Sequence, residues 1–108
     1  MGEPAKTAII TGASAGIGKA TAHRFLRAGW NVVLAGRRAE LLDAAIAEAA
    51  DVPGRGLAVP ADVTDPASVR KLFARTREAF GRLDALFNNA GVNAPGIPLE
   101  ELSFEQWK

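Results

Sequence analysis

The sequence contains no cysteine and no tyrosine, one methionine and one histidine. Without cysteine it can form no disulfide, thiolate nucleophile or cysteine metal site. Without tyrosine, no phenol is present to serve as a general acid or base. The one imidazole, His23, falls inside a predicted helix and reads as structural. An excess of one charge is also missing. Thirteen Lys and Arg stand against twelve Asp and Glu, a formal net charge of +1. No overall field therefore recruits nucleic acid or an anionic membrane. No apolar run approaches the roughly 18 residues that a membrane span requires. The first apolar run leads straight into a glycine turn, so no signal peptide is expected and a cytoplasmic location is the default. Met1-Gly2 opens like a myristoylation signal, but Lys6 stands where that signal needs a hydroxyl residue.

What is present is the balance of an ordinary globular protein, 48% hydrophobic and 23% charged over 108 residues. That length suits one domain with a modest core. Short apolar runs alternate with longer helical patterns, which predicts a parallel α/β sheet. Strands are expected at Thr7 to Thr11, Asn31 to Ala35, Leu57 to Val59 and Leu83 to Phe87. The first helix is expected from Ile17 to Ala28, with Gly29 as its stop. The second, from Glu40 to Ala50, rests on strong alanine and leucine propensity. Asp65-Pro66 opens the third with a capping carboxylate and a proline in the first turn, and Gly81 ends it after Phe80. Ser103 to Gln106 has the form of a capping box, which announces a further helix. Two residues beyond Gln106 cannot sustain one, and strand four would remain a bare apolar edge. The expectation is that the chain stops partway through a larger fold, so that residues 1–108 are part of one domain.

The most informative stretch is Thr11-Gly12-Ala13-Ser14-Ala15-Gly16-Ile17-Gly18, between the first strand and the first helix. Unpaired N–H groups and the positive end of the helix dipole favour an anion at such a point. Gly12 permits the tight turn, Gly16 close approach of a phosphate, and Gly18 close packing of helix on strand. Lys19-Ala20 follows the last glycine, which argues against an ATPase phosphate loop.

In these residues the chain resembles the short-chain dehydrogenase/reductase family. Thr11 to Gly18 match its T-G-x-x-x-G-x-G motif, Asn88-Asn89-Ala90-Gly91 its N-N-A-G motif, and Asp62-Val63 its acidic residue after strand three. The resemblance implies a Rossmann-type doubly wound parallel sheet, truncated after strand four, in the order 3-2-1-4. It implies that Ser14, Ala15 and Ile17 line the ribose and pyrophosphate of a nicotinamide dinucleotide. Asp62 would accept from the adenine amino group, with the Val63 backbone against the ring. Asn89, Ala90 and Gly91 would run beside the riboses, while Asn88 ties strand four to its neighbour.

Cofactor choice turns on the end of strand two, where NAD-specific folds place an acid for the ribose 2′-hydroxyl. Here that end reads Ala35-Gly36-Arg37-Arg38. A guanidinium fork suits a 2′-phosphate, and glycine leaves room for it. NADP(H) is therefore expected over NAD(H), with Arg37 as the main determinant and Arg38 in support. Ala15 departs from the basic residue that NADP-selective relatives often carry there. The implied function is an oxidoreductase moving hydride between nicotinamide and a small carbonyl or alcohol substrate, without nucleic acid, membrane or metal. The complete protein would be a homo-oligomer, a dimer or tetramer. The family's catalytic asparagine, serine, tyrosine and lysine would all fall after Lys108, so no catalytic residue is assigned in this chain. Two alternatives remain open: a non-catalytic NADP-binding sensor or regulatory module, and an S-adenosylmethionine methyltransferase, which Arg37-Arg38 disfavours. Substrate identity is not encoded here, although Pro95-Gly96-Ile97-Pro98 is expected as a loop at the cleft rim.

Overall fold

The computed structural model describes residues 5–49 and 51–89. They form four parallel strands in the order β3-β2-β1-β4. The elements are β1 (Thr7–Thr11), α1 (Gly16–Arg27), β2 (Asn31–Gly36), α2 (Ala39–Ala47), β3 (Arg55–Pro60), α3 (Pro66–Phe80) and β4 (Ala85–Phe87). The expected strand order and fold class hold.

All five residues of β1 are buried, because a parallel strand covered on both faces has no solvent side. Successive side chains alternate between two cores. Ala8, Ile10, Val32 and Leu34 face Ala22 and Leu26 of α1 and Leu42 and Ala45 of α2. Ile9, Val33, Ala35 and Val59 face Val69, Leu72 and Phe73 of α3. Right-handed crossovers require this division. The chain steps outward from β1 to β3 with its helices on one face, then reverses to β4 with α3 on the other. The reversal lies between β1 and β4, the switch point at which open α/β sheets bind ligands.

Several boundaries differ from the sequence reading. β3 extends back to Arg55 because its pairing with β2, Asn31 opposite Arg55, continues through the exposed Gly56. Pro60 closes this edge strand, where a missing N–H is tolerated. The second helix ends at Ala47, with Glu48 as its C-cap, short of the expected Ala50. β4 begins at Ala85 rather than Leu83. There Asp84 replaces a regular ladder pair: its amide donates to Thr7 O at 2.8 Å, and its Oδ2 accepts the Thr7 amide at 2.8 Å. Arg82 clamps the same carboxylate from outside, with Nε to Oδ2 at 2.8 Å and Nη2 to Oδ1 at 2.7 Å.

The expected caps of α3 are present. Asp65 accepts from the Ala67 amide, and Gly81 closes the helix in the left-handed region at φ 75°. His23 reads as structural here too, its Nε2 donating to Ala45 O at 2.8 Å and joining α1 to α2. The expected rim loop from Pro95 to Pro98 and the helix at Ser103 lie outside the described residues. No described helix is long and apolar enough to cross a membrane.

Candidate cofactor site

At the C-terminal ends of β1, β2 and β3 lies a cleft of about 460 Å³, lined by Gly12, Ser14, Gly36, Arg37, Arg38, Ala61, Val63 and Asn89. A shallower depression of about 410 Å³ adjoins it, sharing Arg37 and Ala61 and adding Pro60, Asp62 and Ser68.

The floor is the loop from β1 to α1. A Cβ on Gly18 would overlap Gly12 O and lie 2.8 Å from Asn89 Nδ2, so only glycine lets α1 start this close to the strand. Gly16 has a φ of +60°, and the space where a Cβ would stand is open. Ala13 is buried, and its amide donates to Ala35 O at 3.2 Å, so this residue shapes the loop from beneath. Ala15, Gly16 and Ile17 stand at the exposed rim, Ile17 with 70% of its surface accessible.

The start of α1 differs from that of α3. Ala15 is its N-cap and offers no side-chain hydrogen bond, and no acidic residue occupies the first turn. The first N–H groups of a helix have no intrahelical partner, and the Ala15 side chain supplies none here. Uncapped donors, an open approach at Gly16 and the positive helix end together fit an anion.

One wall comes from β4 and is fixed by Thr11. Its hydroxyl accepts the Asn89 amide at 2.9 Å and meets Asn88 Oδ1 at 3.0 Å. Asn88 thus ties the end of β4 to β1, and Asn89 is held against the glycine loop. Ala90 and Gly91 lie outside the described residues.

The opposite wall carries charge. Arg37 and Arg38 follow β2 directly, and Arg38 is the N-cap of α2 without a side-chain cap bond. Arg37 is 73% exposed in its side chain, and its Nη2 lies 3.6 Å from Asp62 Oδ1. Asp62 follows β3 and is anchored twice. Its amide donates to Ser68 Oγ at 2.8 Å, and its Oδ1 accepts the Thr64 hydroxyl at 2.6 Å and the Thr64 amide at 2.9 Å. The Thr64 hydroxyl and then its amide hold the Asp62 carboxyl below its ordinary pKa against desolvation, and Arg37 adds a smaller effect in the same direction. Asp62 is therefore an ionised acceptor at neutral pH. Among the described residues no bond falls on its Oδ2.

The structure thus brings Gly12, Ser14, Arg37, Arg38, Val63 and Asn89 to one cleft, with Asp62 beside it. Sequence reasoning did not single out Ala61, Thr64 or Ser68. The Asp-x-Thr spacing was the available signal for Thr64, since an Asp side chain commonly accepts from the backbone two residues on. Ala61 and Ser68 carry no such signal; they are set by the turn from β3 into α3. Among the described residues no group of three His, Cys, Asp or Glu could hold a metal.

The family model described as short chain dehydrogenase matches residues 6–108. The chain belongs to that family. It is 39% identical over 102 residues to serine 3-dehydrogenase of Agrobacterium fabrum, covering 94% of this chain and 40% of that protein. With meso-2,3-butanediol dehydrogenase of Serratia marcescens it shares 43% identity over 104 residues, 95% of this chain and 40% of that one. The fold is similar to that of L-sorbose reductase from Gluconobacter frateurii, solved with NADPH and L-sorbose. The TM-score is 0.77 at 39% identity, over 85% of this chain and 35% of that one. This short-chain dehydrogenase chain therefore spans about two fifths of the length of the curated relatives it matches.

Proposed function

We propose that this chain is the cofactor-binding portion of an NADP(H)-dependent oxidoreductase that moves hydride between nicotinamide and a carbonyl or alcohol substrate. The single observation that carries the cofactor choice is the end of β2. Gly36, Arg37 and Arg38 line the cleft together, and the first acid after them, Glu40, already lies in the first turn of α2. Two guanidinium groups at the positive end of a helix favour a phosphate dianion. A carboxylate at Gly36 would repel it.

The remaining residues divide the dinucleotide between them. The uncapped start of α1, with Gly12, Ala13, Ser14, Ala15, Gly16, Ile17 and Gly18, would receive the pyrophosphate and adjoining ribose. Asp62, kept ionised by Thr64, would accept from the adenine amino group, with Val63 against the ring. Asn89, Ala90 and Gly91 would border the riboses. When bound, the nicotinamide supplies the hydride chemistry. The 108 residues contain no tyrosine, so the proton donor beside the carbonyl would come from the rest of the complete protein. L-sorbose reductase, the relative solved with NADPH, supports this reading. A small-molecule substrate, a homo-oligomeric assembly and a cytoplasmic location belong to the same proposal.

The test is carbonyl reduction by the full-length protein across a panel of ketones and aldehydes. NADPH-dependent turnover is expected. Tight NADPH binding with no turnover on any substrate would favour the sensor module instead.

A further inference from the structure

Ser68 lines the shallower depression together with Arg37, Pro60, Ala61 and Asp62. It belongs to the first turn of α3 and is half-buried. Its Oγ accepts the Asp62 amide at 2.8 Å. That bond uses a lone pair of the hydroxyl and leaves its proton to be donated elsewhere. A serine or threonine on a helix commonly turns its proton back onto a carbonyl of the preceding turn. Thr76, further along α3, does so, its Oγ1 donating to Leu72 O at 2.9 Å. Ser68 does not: among the described residues no acceptor takes its proton. The complementary group stands beside it. Asp62 is ionised, its Oδ1 accepts both donors of Thr64, and among the described residues no bond falls on its Oδ2. One wall of the depression therefore carries an acceptor and a donor that the protein leaves unused, joined through the Asp62 amide.

We propose that Ser68 is a base-recognition residue: its hydroxyl donates to a ring nitrogen of adenine while Asp62 accepts from the amino group next to it. This rests on the placement of adenine at Asp62 in the function proposed above and deepens it. Adenine offers the pattern that the wall lacks, an exocyclic N–H donor flanked by ring-nitrogen acceptors. Hypoxanthine presents a carbonyl acceptor in place of that donor, which an ionised carboxylate repels. Asp62 alone reads the amino group; Ser68 adds the neighbouring acceptor, so that two atoms of one base edge are matched at once.

The experiment measures binding of 5′-AMP, 1-deaza-AMP and 7-deaza-AMP to the full-length protein by calorimetry. Each deaza analogue replaces one ring nitrogen flanking the amino group with C–H. The quantity read is the affinity of 5′-AMP relative to each analogue, which isolates the contact with that nitrogen. In Ser68→Ala the advantage of 5′-AMP over one of the two analogues is expected to fall about threefold to tenfold, the scale of one neutral hydrogen bond. The variant also removes the acceptor of the Asp62 amide, but that change weakens all three ligands alike and cancels in the ratio. Ser68→Thr, which keeps the hydroxyl, is expected to keep both ratios. Should Ser68→Ala fail to fold, Ser68→Cys, whose thiol is a weak donor, is read in its place. Ratios unchanged from the wild type, whether or not the three ligands weaken together, overturn the role of Ser68 alone. Binding of 5′-IMP tests the reading beneath it, and the wild type is expected to bind it more weakly than 5′-AMP. Equal affinity for the two overturns the placement of adenine at Asp62, and this inference with it.

Discussion

The hydroxyl of Thr11 accepts the backbone amide of Asn89 at 2.9 Å, across 78 residues of sequence. One side chain at the end of β1 therefore holds both the glycine loop and the segment after β4 in register. Thr11→Val keeps the shape but removes this acceptor and the contact with Asn88 Oδ1. A buried polar group left without its partner costs about 1–3 kcal/mol. The variant is expected to unfold at correspondingly lower urea and to bind NADPH more weakly, with both read on the same preparation.

Gly18→Ala tests the close approach of α1 to the strand end. The added Cβ would overlap Gly12 O and press on Asn89 Nδ2. Overpacking of this kind costs about 1–3 kcal/mol. Because the atoms displaced belong to the candidate phosphate loop, NADPH affinity is expected to fall further than global stability does. Fluorescence titration beside thermal melting separates the two.

Asp84 gives the fold a dependence on acid. The Arg82 fork is the largest influence lowering its pKa from the ordinary 3.8, and the Thr7 amide acts in the same direction against desolvation. A carboxylate depressed in the folded state contributes stability above its unfolded pKa and loses it as pH falls through the folded one. Stability is thus expected to be flat near neutrality and to drop below about pH 4. Asp84→Asn is expected to be less stable at pH 7 and to lose less on going to pH 3, as read from urea midpoints. An equal loss in both proteins would remove Asp84 from the account.

Phe73 sits fully buried on the α3 side of the sheet, against Ile9, Val33 and Val59 among others. Phe73→Ala opens a cavity in a core with little spare area, and truncations of this type cost about 3–5 kcal/mol. The variant is expected to be largely unfolded at 37 °C by circular dichroism.

The strand order and the glycine turn between β1 and α1 were legible because each has a strong local signature. Apolar runs alternate with helical periods, and glycines stand where a strand turns into a helix. Asp65 and Gly81 marked the ends of α3 for the same reason, since capping is local chemistry. The start of β4 was not legible. Leu83 reads as strand by its apolarity, but the pairing there passes through the Asp84 side chain, a substitution visible only once Thr7 lies beside it. The second helix was read too long because alanine propensity carries no stop signal of its own. The relation between Arg37 and Asp62 was also out of reach. Each was picked out for itself, but only the parallel pairing of β2 with β3 sets their strand ends side by side.

In the function proposed above, Arg37, flanked by Gly36 at the end of β2, selects the phosphorylated cofactor. The most direct measurement is the pair of dissociation constants for NADPH and NADH, taken on the full-length wild type and on Arg37→Ala. The wild type is expected to bind NADPH at least about tenfold more tightly, the scale of one charge-assisted contact. Arg37→Ala is expected to lose most of that advantage with NADH affinity nearly unchanged. Equal affinity for the two cofactors in the wild type, or a preference for NADH, would contradict it.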